Sequence, residues 1–214
     1  MIRKTLLTTA AAIIMVALSS VARADTIVVV GNSSGSLSTA TVSCTFNDAT
    51  NTFEFTITNT SPSGSTITGI GFDITPGDFT QNNSSGINGF SSASAGMFTF
   101  HDDALGTVPQ FNGAVLDFGF TTGPSGNFNG GTVAQGIAPG GSLTFTVTGA
   151  GFGNNLTAEQ LCQAIFVRFQ NVPNNEGSDV GHGGNPVPEP MTLLLLGTGL
   201  AGVAARARRR RNKE

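Results

Sequence analysis

The sequence predicts an all-β fold: a two-sheet antiparallel β-sandwich, Ig-like or jelly-roll-like, of about eight strands with one short helix. Three observations point there. Phe53-Glu54-Phe55-Thr56-Ile57-Thr58 and Leu143-Thr144-Phe145-Thr146-Val147-Thr148 alternate strictly between apolar and polar side chains, the period of a strand with one buried face. Turn chemistry recurs between such runs, at Pro62-Ser63-Gly64, Pro76-Gly77, Asn88-Gly89, Asn112-Gly113, Asn129-Gly130 and Pro139-Gly140, where Gly, Asn and Pro supply the dihedrals that tight turns need. All 16 aromatic residues are Phe, a side chain without a polar handle that belongs in a dry core or a self-association patch.

Taken in order, strands are predicted at 26–30, 40–46, 53–58, 66–74, 95–100, 114–120, 143–148 and 165–171, with Ile70, Phe72 and Ile74 on one face of the fourth. Two packed sheets are the economical way to bury eight half-apolar strands. A short helix is predicted at Thr157-Ala158-Glu159-Gln160, where a Thr followed three residues later by Gln forms a capping box ahead of Leu161. Residues 173–187 show no apolar period and read as a flexible linker. No repeat recurs at 20 to 50 residues, which disfavours a solenoid or propeller.

Two hydrophobic segments stand apart from this domain. Arg3 and Lys4 precede a mostly apolar stretch, 6–21, and Ala22-Arg23-Ala24 has the small-x-small pattern cut by signal peptidase. Residues 1–24 are therefore predicted to be a signal peptide, with Asp25 the first residue of the mature chain. At the other end, Pro188-Glu189-Pro190 is followed by a mostly apolar run from Met191 to Ala205 and by Arg206, Arg208, Arg209, Arg210 and Arg211. A helix over 191–205 rises about 22 Å against a hydrocarbon core of about 30 Å, so it is predicted to span a membrane marginally. The arginines are costly to move through lipid, stay on the cytoplasmic side and hold the preceding chain outside.

Tripeptide, apolar run and arginine cluster, in that order, resemble the PEP-CTERM sorting-domain proteins of exopolysaccharide-producing Gram-negative bacteria. The likeness covers about residues 186–211, with the sorting signal itself at 188–211, and implies processing by an exosortase, a membrane enzyme that cuts at or near Pro188-Glu189-Pro190. It implies an inner-membrane-anchored precursor on the way to the periplasm, cell surface or extracellular matrix. It is silent on what the exported domain does.

Charge excludes one class of partner. From Asp25 to Pro190 the chain carries 12 acidic residues and one basic residue, Arg168. A domain with one cation cannot neutralise a phosphate backbone, so nucleic-acid binding is excluded. Ser, Thr, Asn and Gly make up about half of the same segment, a surface polar through hydroxyls and amides more than through charge. Without Trp or Tyr, sugar stacking loses its usual side chains.

Cys44 and Cys162 are the two cysteines. In an oxidising compartment they pair, with about 4 to 5 kcal/mol of loop-entropy stabilisation, or remain two separate buried thiols; the sequence leaves both readings open. Gly31-Asn32-Ser33-Ser34-Gly35 formally matches a nucleophile elbow, but no helix follows it and the chain is rich in Gly and Ser. His101-Asp102-Asp103 is the densest polar cluster. Asp102 and Asp103 are weak Ca²⁺ candidates, together with Asp73 or Asp78, set against a solvated turn after a strand. Arg168 is expected to pair with a carboxylate, and His182 to lie solvated in the linker. No cofactor is expected. These observations predict an exported, non-catalytic protein with a structural or adhesive role in an exopolysaccharide matrix. A glycan- or Ca²⁺-binding module is the alternative, and a secreted hydrolase using Ser33 a distant third.

Overall fold

Alternation along the chain becomes alternation of burial: in β3 (Thr52–Asn59), Phe53, Phe55, Ile57 and Asn59 are buried while the intervening side chains reach the surface. The computed structural model describes residues 25–186 apart from 63, 75–86, 104, 112–113, 124–126, 153–155 and 175. The expected signal peptide and the expected membrane helix at 191–205 lie outside these residues. Among the described residues no helix is long and apolar enough to cross a membrane.

All eight predicted strands are present, as β1 (Asp25–Gly31), β2 (Gly35–Asn47), β3, β4 (Thr66–Phe72), β6 (Phe98–Asp102), β7 (Phe118–Thr122), β8 (Ser142–Gly149) and β9 (Ile165–Val172). Two more were not foreseen: β5 (Phe90–Ser91) and β10 (Gly177–Pro186). The predicted helix is α1 (Ala158–Gln163), and its capping box is formed. The Thr157 hydroxyl accepts from the Gln160 amide at 3.1 Å, and the Gln160 side chain accepts from the Thr157 amide at 3.0 Å.

The ten strands form one antiparallel sheet in the order β5-β8-β3-β2-β1-β10-β9-β4-β7-β6. This corrects two expectations at once. Residues 173–187 are not a free linker, because β10 occupies most of them, paired with β1 on one side and β9 on the other. Without β10 the remaining strands would divide into β5-β8-β3-β2-β1 and β9-β4-β7-β6, the two sheets of a sandwich. With it they are continuous, and the sheet curls on itself almost into a barrel.

The curl is visible in the core. Phe55 on β3 meets Phe72 on β4 at 4.9 Å between ring centroids, and Phe145 on β8 meets Phe120 on β7 at 4.6 Å. Strands far apart in sheet order thus share one phenylalanine-filled interior, at centroid spacings where offset and edge-on ring pairs are favourable. Where the two ends of the sheet approach, a side chain does the bridging: the Asp102 carboxylate on β6 accepts the amides of Gly89 (3.2 Å) and Phe90 (3.4 Å).

A second, smaller core lies on the outside of β9 and β10. Leu105, Val108, Ala114 and Leu116, from the connection between β6 and β7, pack with Phe128, Phe166 and Val180. Gly71 and Gly119 let this connection lie directly on the sheet. A Cβ on Gly119 would run into the Ile70 carbonyl and the Leu105 side chain.

Candidate functional site

The chain enters and leaves the fold at one place. β1 begins at Asp25, the residue after Ala24, and β10 ends at Pro186, two residues before Pro188. The two strands are antiparallel neighbours with Ile27 opposite Pro186, so both ends emerge side by side. Asp25 stands opposite Cys44, and Cys44 is joined to Cys162 of α1 by a disulfide with a Cα separation of 5.8 Å. The paired-cysteine reading therefore holds, and the bridge ties β2, the neighbour of the entry strand, to the helix beneath the exit strand. A Cβ on Gly183 would meet the carbonyls of Cys162 and Gln163, which is why this position of β10 is a glycine. Ala22, Ala24, Pro188, Glu189, Pro190 and the arginines at 206 and 208–211 lie outside the described residues.

At the opposite end of β1, Gly31-Asn32-Ser33-Ser34-Gly35 is the turn into antiparallel β2, with Gly35 at φ +56. No helix follows, so the elbow resemblance fails on context. The turn is instead organised around Asp179 of β10, 1% exposed. Its carboxylate accepts the Ser34 amide (2.8 Å), the Ser34 hydroxyl (2.6 Å) and the Ser33 amide (3.2 Å). Burial works to raise the Asp179 pKa, but these hydrogen bonds outweigh it and hold the carboxyl below its ordinary value. Asp179 was overlooked in the sequence because the segment around it reads as a linker.

The polar cluster at 101–103 is likewise spent on structure. Asp102 closes the seam described above, and Asp103 takes a left-handed backbone, φ 52, with its amide donating to the Asp117 carbonyl at 3.0 Å. His101 Nε2 lies 2.9 Å from the Thr121 hydroxyl, and burial lowers its pKa. Among the described residues no group of three or more His, Cys, Asp or Glu side chains is placed to hold a metal; Asp78 falls outside them. A further carboxylate that the sequence analysis did not single out is also engaged. Fully buried Asp117 accepts the amides of Ile74 (2.7 Å) and Ile87 (2.6 Å), gathering the two ends of the 75–86 segment. An Asp wedged between Leu116 and Phe118 is the signal that could have marked it.

Arg168 and His182 lie on the outer face of β9 and β10, within reach of the second core. Arg168 is 8% exposed, and its Nη2 donates to the Ser178 hydroxyl at 3.2 Å, where a carboxylate was expected; burial lowers its pKa. His182 is not a solvated linker residue. Its ring packs 4.5 Å from that of Phe166 and 6.0 Å from that of Phe111, and burial lowers its pKa to about 4.

The outer face of β1, β2, β3 and β8 carries a lattice of hydroxyls instead. Register places Thr26, Ser43, Thr56 and Thr144 in one row and Thr41, Thr58 and Ser142 in the next. Neighbours bond to one another: Thr26 with Ser43 at 3.0 Å, Thr56 with Thr144 at 2.8 Å, Thr58 with Ser142 at 3.0 Å.

The fold defines a phenylalanine-cored β domain whose two ends emerge together, with a sorting sequence immediately after the last strand. Residues 186–210 match the family described as the PEP-CTERM protein-sorting motif. The chain thus carries a PEP-CTERM sorting motif in its C-terminal region, and this motif implies export, sorting at a membrane and processing by an exosortase. Comparison with curated proteins and with solved structures gives no match.

Proposed function

We propose that the protein is a non-catalytic component of the cell envelope or an extracellular polysaccharide matrix, released to that destination when an exosortase cuts at or near Pro188-Glu189-Pro190. The observation that supports this reading is the placement of the chain ends. Signal peptidase cutting after Ala24 leaves β1 whole, and a cut beyond Pro186 leaves β10 whole. Both expected scissions thus spare the two central strands, and the disulfide beside Asp25 survives them. The engagement of Ser34, Asp102, Asp117 and Asp179 in hydrogen bonds that hold turns and seams favours a structural role over a catalytic one.

In this role the apolar segment at 191–205 and the arginines that follow hold the precursor in the inner membrane until processing. The hydroxyl face of β1, β2, β3 and β8 then offers neutral hydrogen-bonding groups to a neutral polymer, while the preponderance of acidic residues repels a polyanion. Replacing Pro188, Glu189 and Pro190 with alanine and fractionating the cells tests the sorting step. Full-length protein retained in the membrane is expected; unchanged mass and location would sink the reading. Calorimetry of the exported protein against the host's own polysaccharide and against Ca²⁺ tests the rest. Weak, non-saturable heat fits a matrix component, whereas saturable binding at a defined ratio favours a dedicated ligand-binding module.

A further inference from the structure

The one basic side chain between Asp25 and Pro190 is buried against a neutral hydroxyl. Twelve acidic residues accompany Arg168 in that segment, yet its Nη2 donates to Ser178 Oγ at 3.2 Å, and its buried Nε has no hydrogen-bond partner among the described residues. Arg168 is 8% exposed. A buried charge is ordinarily paired, because a charge taken out of water and met by neutral groups alone is destabilising.

Two more buried atoms without partners stand on either side of it. Gln170 lies two residues along β9 on the same face, opposite Ser178 of β10, and its Oε1 is unpartnered among the described residues. On the β4 side the register shifts between Ile67, opposite Phe169, and Gly69, opposite Arg168. Ile67 and Ile70 both belong to the main core, so this bulge leaves Thr68 and Gly69 together on the outer face. The Thr68 hydroxyl is fully buried and also without a partner. Gly131 walls this side, since an added Cβ would lie 2.8 Å from Thr68 Cβ and 3.0 Å from its Oγ1. Toward solvent, Ser178 and Gln170 are only half-buried, which leaves an approach to the guanidinium.

The donor and acceptor roles of this set select a ligand. An arginine presents Nε–H and an Nη–H as a planar fork matched to the two oxygens of a carboxylate. Gln170 Oε1 accepts only and needs a donor, while the Thr68 and Ser178 hydroxyls serve in either role. A bare anion would leave the amide oxygen unmet, and a neutral sugar would leave the guanidinium unmet. The surplus of acidic residues admits a single carboxylate more readily than a polyanion. We propose that Arg168, Gln170, Thr68 and Ser178 form a binding site for a small hydroxylated carboxylate, of which a monomeric sugar acid is the compact example. The carboxylate takes the Arg168 fork beside Ser178, and a ligand hydroxyl donates to Gln170 Oε1. This site lies away from the hydroxyl face of β1, β2, β3 and β8, and it stands independently of the sorting signal.

Calorimetry of the exported protein with glucuronate, glucose, acetate and inorganic phosphate tests the assignment. Saturable binding of one glucuronate per chain, about tenfold tighter or more than any of the other three, is expected. Absence of saturable heat with glucuronate, or equal or tighter binding of glucose, acetate or phosphate, overturns the proposal. Two variants place the ligand. Arg168→Lys keeps the charge but loses the planar fork, so glucuronate binding should weaken about tenfold or more; unchanged affinity overturns the site. Gln170→Glu remains informative where Arg168→Lys does not fold. Its carboxylate supplies the guanidinium with an internal partner, so glucuronate binding should be lost while the unfolding midpoint rises. Retained binding, or a midpoint that is unchanged or lower, overturns the proposal.

Discussion

The carboxylate of Asp179 in β10 takes the amide of Ser34 at 2.8 Å and its hydroxyl at 2.6 Å, and so fixes the turn between β1 and β2 from a residue 145 positions away in sequence. The Ser33 amide joins the same carboxylate at 3.2 Å. Removing the acceptor leaves the part-buried amides of Ser33 and Ser34 without their partner. Asp179→Ala should therefore destabilise the fold by about 2 to 4 kcal/mol, and Ser34→Ala, which loses one hydroxyl, by about 1 kcal/mol. Denaturant unfolding of the two variants checks the order.

Stability should fall in acid in two stages. His182 has its pKa lowered from 6.5 to about 4 by burial, so the unfolded chain takes up its proton first. The contribution of neutral His182 is complete above pH 6.5, declines as the pH falls toward 4 and is gone below that; at full effect it is about 3 kcal/mol. Asp179, held below its ordinary value, loses its contribution at lower pH, as the pH falls through its folded-state pKa. Unfolding free energy measured from pH 8 to 3 should slope between 6.5 and 4, and His182→Phe should flatten that limb.

The disulfide closes a loop with a sequence separation of 118. Loop entropy gives it about 4 to 5 kcal/mol. Changing Cys44 and Cys162 together to alanine should lower the unfolding midpoint, and a reducing agent should lower the midpoint of the parent chain while leaving the double variant unchanged.

Gly119 is the tightest test of how the second core is seated. An added Cβ would meet the Ile70 carbonyl and the Leu105 side chain, with Gly71 Cα at 2.9 Å. Gly119→Ala should cost about 2 kcal/mol or more and loosen the 103–117 connection, seen as faster amide exchange at Leu105 and Asp117. Gly140→Ala, at φ +81 with open space around it, pays backbone strain alone and should cost about 1 kcal/mol.

Much of this molecule was legible in the one-dimensional pattern. Strands whose inner and outer faces differ, such as β3 and β8, announce themselves by alternation, because water on one side and phenylalanine on the other select opposite side chains at every second position. The capping box of α1 was equally plain, since both of its hydrogen bonds join residues three apart. β10 was not. Gly177-Ser178-Asp179-Val180-Gly181-His182-Gly183 is a central strand, and close neighbours on the inward face demand glycine there: a Cβ on Gly181 would meet Val29 and the Val30 backbone. The same residues would suit a mobile linker, so composition alone could not separate the two.

The candidate sites divide along the same line. The sequence determined that the chain is exported and sorted at a membrane, because a tripeptide, an apolar run and a block of guanidinium groups act through local order and charge alone, and it determined that the core would be built of phenylalanine-bearing strands. Only the tertiary structure decided that those strands form one curled sheet and that Asp179, Asp102 and Asp117 hold turns and seams. Each of these depends on which distant strands become neighbours, and that choice is made by long-range pairing through β10, whose glycines carry no amphipathic signal.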